Sequence, residues 1–277
     1  MKKPGRPVPD ILSSLQADLE QLASAAASQP PSSHLRKRID DALRALTNRI
    51  DGLLRDLDPI RHPTSVFDPA NPKIIGRFIA LALVAQPRHN LAAVERFYGS
   101  GVYAIYYRGG FNLYQPIANA ETPIYVGKAG PALPNARTPL EQSDRLARRL
   151  EDHRKNIGKA TSTLSIGDFE CRFLVVQSGY ETAAEDYLIH LFQPIWNSET
   201  NILFGLGKHG DDAGTRANKR SPWDTLHPGR EWAAASIEDA RTRAQIKADL
   251  ARHFGESKIF KTINQVVAEF IAELRQI

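Results

Sequence analysis

The chain has 277 residues, 42% of them hydrophobic, with a net charge of +5 and a pI near 9.3. That length holds one sizeable domain with appendages or two modest domains, and the mild basicity fits a polyanion-binding protein without requiring one. The lone Cys171 excludes an intramolecular disulfide framework and a cysteine-rich zinc site, and no apolar run is long enough to cross a bilayer.

The first helix is expected over 10–28, with Asp10 as N-cap and Ile11, Leu12, Leu15, Leu19 and Leu22 at helical spacing. Gln29-Pro30-Pro31-Ser32-Ser33 breaks it. A second helix over 34–57 carries Ile39, Leu43, Leu46, Ile50, Leu53 and Leu57, alternately four and three apart, a seam of about three heptads. That seam reads either as a hairpin folded on itself or on the main domain, or as a dimerisation surface. Pro59, Pro63, Pro69 and Pro72 mark a linker, a third helix covers 72–85, and a short one covers 91–97.

From Gly101 the period changes. Residues 102–107 and 122–126 read as an antiparallel strand pair, joined by a long connection through Gly109-Gly110 and Asn112. A helix follows over 139–157, a strand over 168–176 that holds Cys171 as a buried thiol, and a helix over 181–192 stopped by Pro194. Past Asn197 lies a loop-rich tract with Gly, His, Lys, Arg and Trp, then two helices, 236–253 and 257–276. The expected fold is α/β (α+β), a small mixed sheet flanked by helices. The expected division is 1–90 as a helical extension and linker, 91–200 as the core, and 201–277 as a further tract with C-terminal helices.

Glu185 shares its helix flank with Leu188, Ile189 and Phe192, so its carboxylate lies on the apolar side and needs a cation or a donor. One carboxylate suits Mg²⁺, which keeps most of its water; the bland reading is a buried Glu–Arg pair. Arg149 and His153, four apart, project from one helix side with Arg145 in the same row, either as a phosphate clamp or as a solvated basic face. Tyr103 and Tyr125 sit in strands, where tyrosines also merely pack. Gly127-Lys128-Ala129-Gly130 permits close approach after the second strand, and Lys128 is a candidate phosphate contact or proton acceptor. Asn197 would orient Glu185 or cap a loop.

Taken in order, Gly101-Val102-Tyr103, Tyr125-Val126-Gly127, Arg149, His153, Glu185 and Asn197 resemble the GIY-YIG nucleases over about a third of the chain. Within that superfamily the chain is similar to the type II restriction endonuclease branch that cuts a GC-rich palindrome such as CCGCGG, and Trp223-Asp224-Thr225-Leu226-His227-Pro228-Gly229-Arg230 extends the likeness. Valine replaces isoleucine in both name motifs, residues 108–121 form an insertion, and residues 1–58 match nothing in the family.

The resemblance implies a GIY-YIG core over 91–200, with one Mg²⁺ per site held by Glu185. It implies Tyr103 as proton acceptor, Arg149 as clamp, His153 and Tyr125 as positioning groups, and Asn197 and Lys128 as accessories. DNA contacts are expected from Arg145, from the insertion (Arg108, Asn112, Gln115) and from the later tract (Lys208, His209, Arg216, Lys219, Arg220, Arg230). The implied substrate is double-stranded DNA, cut by a cytoplasmic homodimer, with a DNA methyltransferase encoded nearby as functional partner. A homing endonuclease, or a non-catalytic DNA-binding module of the same fold, stands as the alternative.

Overall fold

The computed structural model describes residues 6–28, 32–61, 63, 66–206, 219–234 and 236–275. It separates into two units, 1–66 and 67–277. The first holds helices α1 (Val8–Ser28) and α2 (Ser33–Leu57). Asp10, expected as an N-cap, lies inside the first turn of α1, where its charge favours the helix N-terminus. Ser32 caps α2 by accepting from the Leu35 amide. No residue of α1 is buried, and among the described residues of α2 only Ile39, Leu46, Ile50 and Gly52 are even half-buried.

The second unit begins with α3 (Pro72–Val84), capped by Asn71, and β1 (His89–Asn90). The helix expected over 91–97 shrinks to a 3₁₀ turn at Leu91–Ala93. Val94 leaves it in an extended conformation, and Phe97 stacks on Phe173 with ring centroids 4.6 Å apart. There follow β2 (Gly101–Tyr107), a 3₁₀ segment at Asn112–Ile117, and β3 (Tyr125–Ala129). This strand starts three residues later than expected, because Pro123 brings no amide to a ladder and the Thr122 hydroxyl is taken by the Phe260 amide.

The single helix expected over 139–157 is two, α4 (Pro139–Gln142) and α5 (Arg145–Lys159). The break is at Ser143, at φ 62°, after Thr138 and Glu141 close a capping box. Gln142 is used there as a tie. Its amide oxygen accepts from the Ser100 amide and its nitrogen donates to the Val176 carbonyl, which fixes the start of β2 against the end of β4 (Phe169–Val175).

After β4 come α6 (Glu181–Phe192), β5 (Lys219–Arg220), α7 (Pro222–Leu226), α8 (Glu231–Ala234), β6 (Glu238–Asp239), α9 (Arg243–Glu256) and α10 (Ile263–Leu274). The last two start later than the expected 236 and 257. Residues 238–239 instead pair in parallel with 219–220, and each helix opens at a Thr–Gln capping box, Thr242/Gln245 and Thr262/Gln265.

The main sheet has the order β1-β4-β2-β3, and every pairing in it is antiparallel rather than mixed. β3 and β4 do run in the same direction, but β2 lies between them, so no parallel ladder forms. All seven residues of β2 are buried, as expected of a strand covered on both faces. Tyr103, Ile105 and Tyr107 face a core built with Leu146, Leu150 and Ile157 of α5, with Trp196 and with Ile246 and Leu250 of α9. Val102, Ala104 and Tyr106 face α3, α6 and α10. Helices thus sandwich a four-stranded sheet of which β3 is one edge.

Candidate active site

The Tyr103 ring lies flat against the sheet because its register partner on β3 is Gly127. A Cβ there would stand 2.5 Å from the phenol oxygen. Tyr103 is fully buried, and its hydroxyl lies 2.6 Å from His153 Nε2. Tyr125, one strand over, packs on the same imidazole with centroids 4.7 Å apart. Burial, above all, pushes the Tyr103 phenol well above its ordinary pKa, with Tyr125 and Glu185 adding to the rise and Arg149 opposing it. Tyr103 is therefore a neutral phenol in the resting protein, hydrogen-bonded to His153. Tyr125 is raised by the same burial, opposed by Arg149 and reinforced by Glu185.

Arg149 projects from α5 toward both phenols. Burial disfavours its charge, but Tyr103 and Tyr125 outweigh that and hold its pKa above the ordinary value. It lines an open cleft with Lys128, Gly130, Arg145, Arg148 and Asp152. Arg148 escaped the sequence reading. Its guanidinium pairs with Asp144 at 2.7 Å, and only the fold shows that it borders the cleft.

Glu185 comes from α6, on the other side of the sheet, and meets these groups around the β3 edge. Its Oε2 lies 3.0 Å from Lys128 Nζ, and its side chain is 17% exposed. Lys128 also donates to Thr182 one turn earlier on α6. Burial raises the Glu185 carboxyl above the usual carboxylate range; Lys128 pulls it down, while Glu199 and Asp186 push it up. A second cleft, lined by Tyr125, Glu185, Asn197, Ser198 and Glu199, adjoins that pair. Among the described residues no three His, Cys, Asp or Glu side chains gather as a metal cluster. Glu185, with Glu199 across the same cleft, fits a single hard cation that keeps most of its water.

Asn197 serves the strand. Val126 N–H donates to its Oδ1 and its Nδ2 donates to the Val126 carbonyl, both at 2.9 Å. The side-chain amide thus completes the outer edge of β3 as another strand would, which holds Tyr125 and Lys128 in place.

The expected DNA contacts separate. Arg108 is tied to the Gly167 carbonyl and to Glu170, while Asn112 and Gln115 are exposed on the 3₁₀ segment. Lys219 and Arg220 pair with Glu238 and Asp239. Lys208, His209 and Arg216 lie outside the described residues. Arg230 is a correction. It is fully buried and grips Asp224 through a two-bond fork, Nε to Oδ1 at 2.6 Å and Nη2 to Oδ2 at 2.8 Å, so it cannot reach DNA without unfolding its surroundings.

A buried chain unforeseen from sequence links the insertion to the C-terminal tract. His227 Nε2 lies 2.5 Å from the Tyr114 hydroxyl, His227 Nδ1 lies 2.8 Å from Thr163 Oγ1, and the Trp196 indole donates to Tyr114. Burial first, then Arg243, lowers the His227 pKa to about 3. Its ordinary value is near ~6.5, so its neutral form stabilises the fold fully above that pH and the contribution is lost as pH falls toward 3. The thermal midpoint should fall between pH 7 and pH 5, and His227→Gln should flatten that slope; a midpoint that rose on acidification would contradict the assignment.

A family model described as the Eco29kI GIY-YIG domain matches residues 95–254, more than half of the chain. The chain belongs to this family. The matched span holds every group just described, from Tyr103 to Arg230, and this GIY-YIG domain is that of a restriction endonuclease family. No curated protein matches the chain. In this GIY-YIG protein the glycine of the second motif has a direct physical task, the seating of Tyr103. Gly127→Ala is expected to cost about 1–3 kcal/mol through overpacking and to slow DNA cleavage on the order of a hundredfold by displacing the phenol. Single-turnover cleavage beside a melting curve checks both; wild-type rates would mean that Tyr103 can move freely.

Proposed function

We propose that the protein is a type II restriction endonuclease making metal-dependent double-strand cuts at a short, GC-rich palindrome, working on DNA as a homodimer in the cytoplasm beside a cognate methyltransferase. The observation that supports this best is the convergence on one strand edge of a buried, hydrogen-bonded Tyr103–His153 pair, a charged Arg149 and a largely buried carboxylate, Glu185.

Glu185 would hold the divalent ion, which when bound supplies Lewis-acid neutralisation of charge on the phosphate and the leaving oxygen. The chain's own groups do the rest. Tyr103 accepts a proton from the attacking water as its own passes to His153 Nε2, so that a phenol with a raised pKa need never become a free phenolate. Arg149 grips non-bridging phosphate oxygens with two parallel bonds as negative charge builds at phosphorus. Lys128 and Arg145 supply further positive charge along the cleft. Bases are read from Asn112 and Gln115, with Lys208, His209 and Arg216 as further candidates.

The test is incubation of purified protein with plasmid DNA and Mg²⁺, followed by sequencing of the ends. Discrete fragments with a common end sequence are expected; binding without any cut would leave the non-catalytic reading. Arg149→Lys keeps charge and loses the fork, so cleavage should fall on the order of a hundredfold while DNA affinity stays within a few-fold. Unchanged turnover would remove Arg149 from the site.

A further inference from the structure

We infer that Lys128 is an exchangeable counter-ion, which gives up Glu185 to the divalent ion and turns its ammonium to a DNA phosphate, so that metal and DNA favour each other's binding. The inference deepens the nuclease reading above and rests on it. One ammonium belongs to two clefts. Lys128 lines the basic cleft with Arg145, Arg148 and Arg149. Its Nζ also lies 3.0 Å from Oε2 of Glu185, which lines the neighbouring cleft with Glu199. The register places Lys128 opposite Val102, so its side chain leaves β3 on the α6 face, and β3 ends the main sheet. A lysine on that edge can therefore serve either cleft.

Among the described residues Lys128 is the one cation paired with Glu185, so a divalent ion at that carboxylate must compete with it. The neighbouring cations are tied elsewhere: Arg145 donates to the Gly130 carbonyl, and Arg148 pairs with Asp144 one turn back on α5. Lys128 is held more lightly. Apart from Glu185 it has the Thr182 hydroxyl at 3.1 Å, and its side chain stays 35% exposed. A partly exposed ion pair contributes little, and a flexible four-carbon stem lets the ammonium swing without moving the strand. A divalent charge at Glu185 repels the ammonium, and a phosphate then offers it a charge-assisted bond in the other cleft. Such coupling is reciprocal, so a phosphate that draws Lys128 away frees Glu185 for the ion by the same factor.

Calorimetric titration of the full chain with Mg²⁺ alone tests the exchange, at mildly alkaline pH so that protons do not compete for Glu185. Lys128→Met should bind Mg²⁺ about tenfold more tightly than the unsubstituted chain. Lys128→Gln is a second neutral variant should methionine disturb the circular-dichroism spectrum. In a separate measurement, the unsubstituted chain should bind a labelled random-sequence duplex several-fold more tightly when Ca²⁺ replaces chelator, and Lys128→Met should lose most of that gain. A lysine that merely braces the site predicts the opposite sign, because its removal would loosen Glu185 and weaken Mg²⁺ binding. Weaker or unchanged Mg²⁺ affinity in both neutral variants, or an undiminished Ca²⁺ effect, would overturn the inference. Tighter Mg²⁺ binding with the Ca²⁺ gain lost, in a protein that never cuts plasmid, upholds the exchange and removes the nuclease reading instead.

Discussion

Glu185→Gln is expected to leave DNA binding intact and to reduce cleavage on the order of a thousandfold. The substitution is nearly isosteric, and an amide oxygen can still accept from Lys128 Nζ, which lies 3.0 Å from the carboxylate now. What disappears is the charge that makes a largely buried carboxylate able to hold a hard cation in the oxygen-lined cleft beside Tyr125 and Asn197. Mobility shift in the absence of metal, plasmid cleavage with Mg²⁺, and calorimetric titration with Mg²⁺ alone separate binding, turnover and metal affinity. Full cutting by the glutamine variant would refute the proposed mechanism. Cleavage lost together with DNA binding would show that Glu185 acts on the fold rather than on the reaction.

Arg230→Met should be the most damaging single change to stability, by about 3–5 kcal/mol. It would strand the Asp224 carboxylate in the interior, where that group now takes two bonds from the guanidinium and a third, at 2.5 Å, from the Ser221 hydroxyl. It would also strip donors from the Gly205 and Leu206 carbonyls and remove the cation from between the Trp223 and Trp232 rings. Those partners lie on both sides of residues 207–218, so Arg230 ties together the two stems of that tract. Close approach is built into the tie. Gly205, at φ +118°, lies so near the Ser221 hydroxyl that a side chain there would collide with it. Urea unfolding measures the loss, and adding Asp224→Leu should recover part of it by removing the stranded charge. A variant that unfolds like wild type but binds every DNA sequence more weakly would return Arg230 to the surface role that its type first suggested.

These two residues show where local reading succeeds and where it stops. Glu185 was readable because helical spacing puts it beside Leu188, Ile189 and Phe192, and a carboxylate on an apolar flank demands a partner. The identity of that partner in the folded chain, Lys128 on a strand 57 residues earlier, was not readable, since no local rule couples β3 to α6. Arg230 failed for the converse reason. An arginine in a loop-rich tract carries no spacing signal, so composition alone made it a DNA contact, while its burial depends on Asp224 and two carbonyls that chain folding delivers. Asn197 is similar. Its order after Glu185 carried the family likeness, but its bonds to both polar atoms of Val126 became visible only once β3 was known to be an edge.

By itself the sequence determined the strand–strand–helix–strand–helix order, the breaks at Pro and Gly, the two tyrosines and the family likeness. These rest on periodicity and on short motifs, which act over a few residues. Only the tertiary structure decided that the main sheet is antiparallel throughout, that Ser143 splits the arginine-bearing helix from the one before it, and that the Tyr103 hydroxyl lies against His153 Nε2. It also decided that groups from helices on opposite faces meet at one strand edge. Each of these depends on contacts between segments dozens of residues apart, whose register follows from how two whole faces of the sheet are buried.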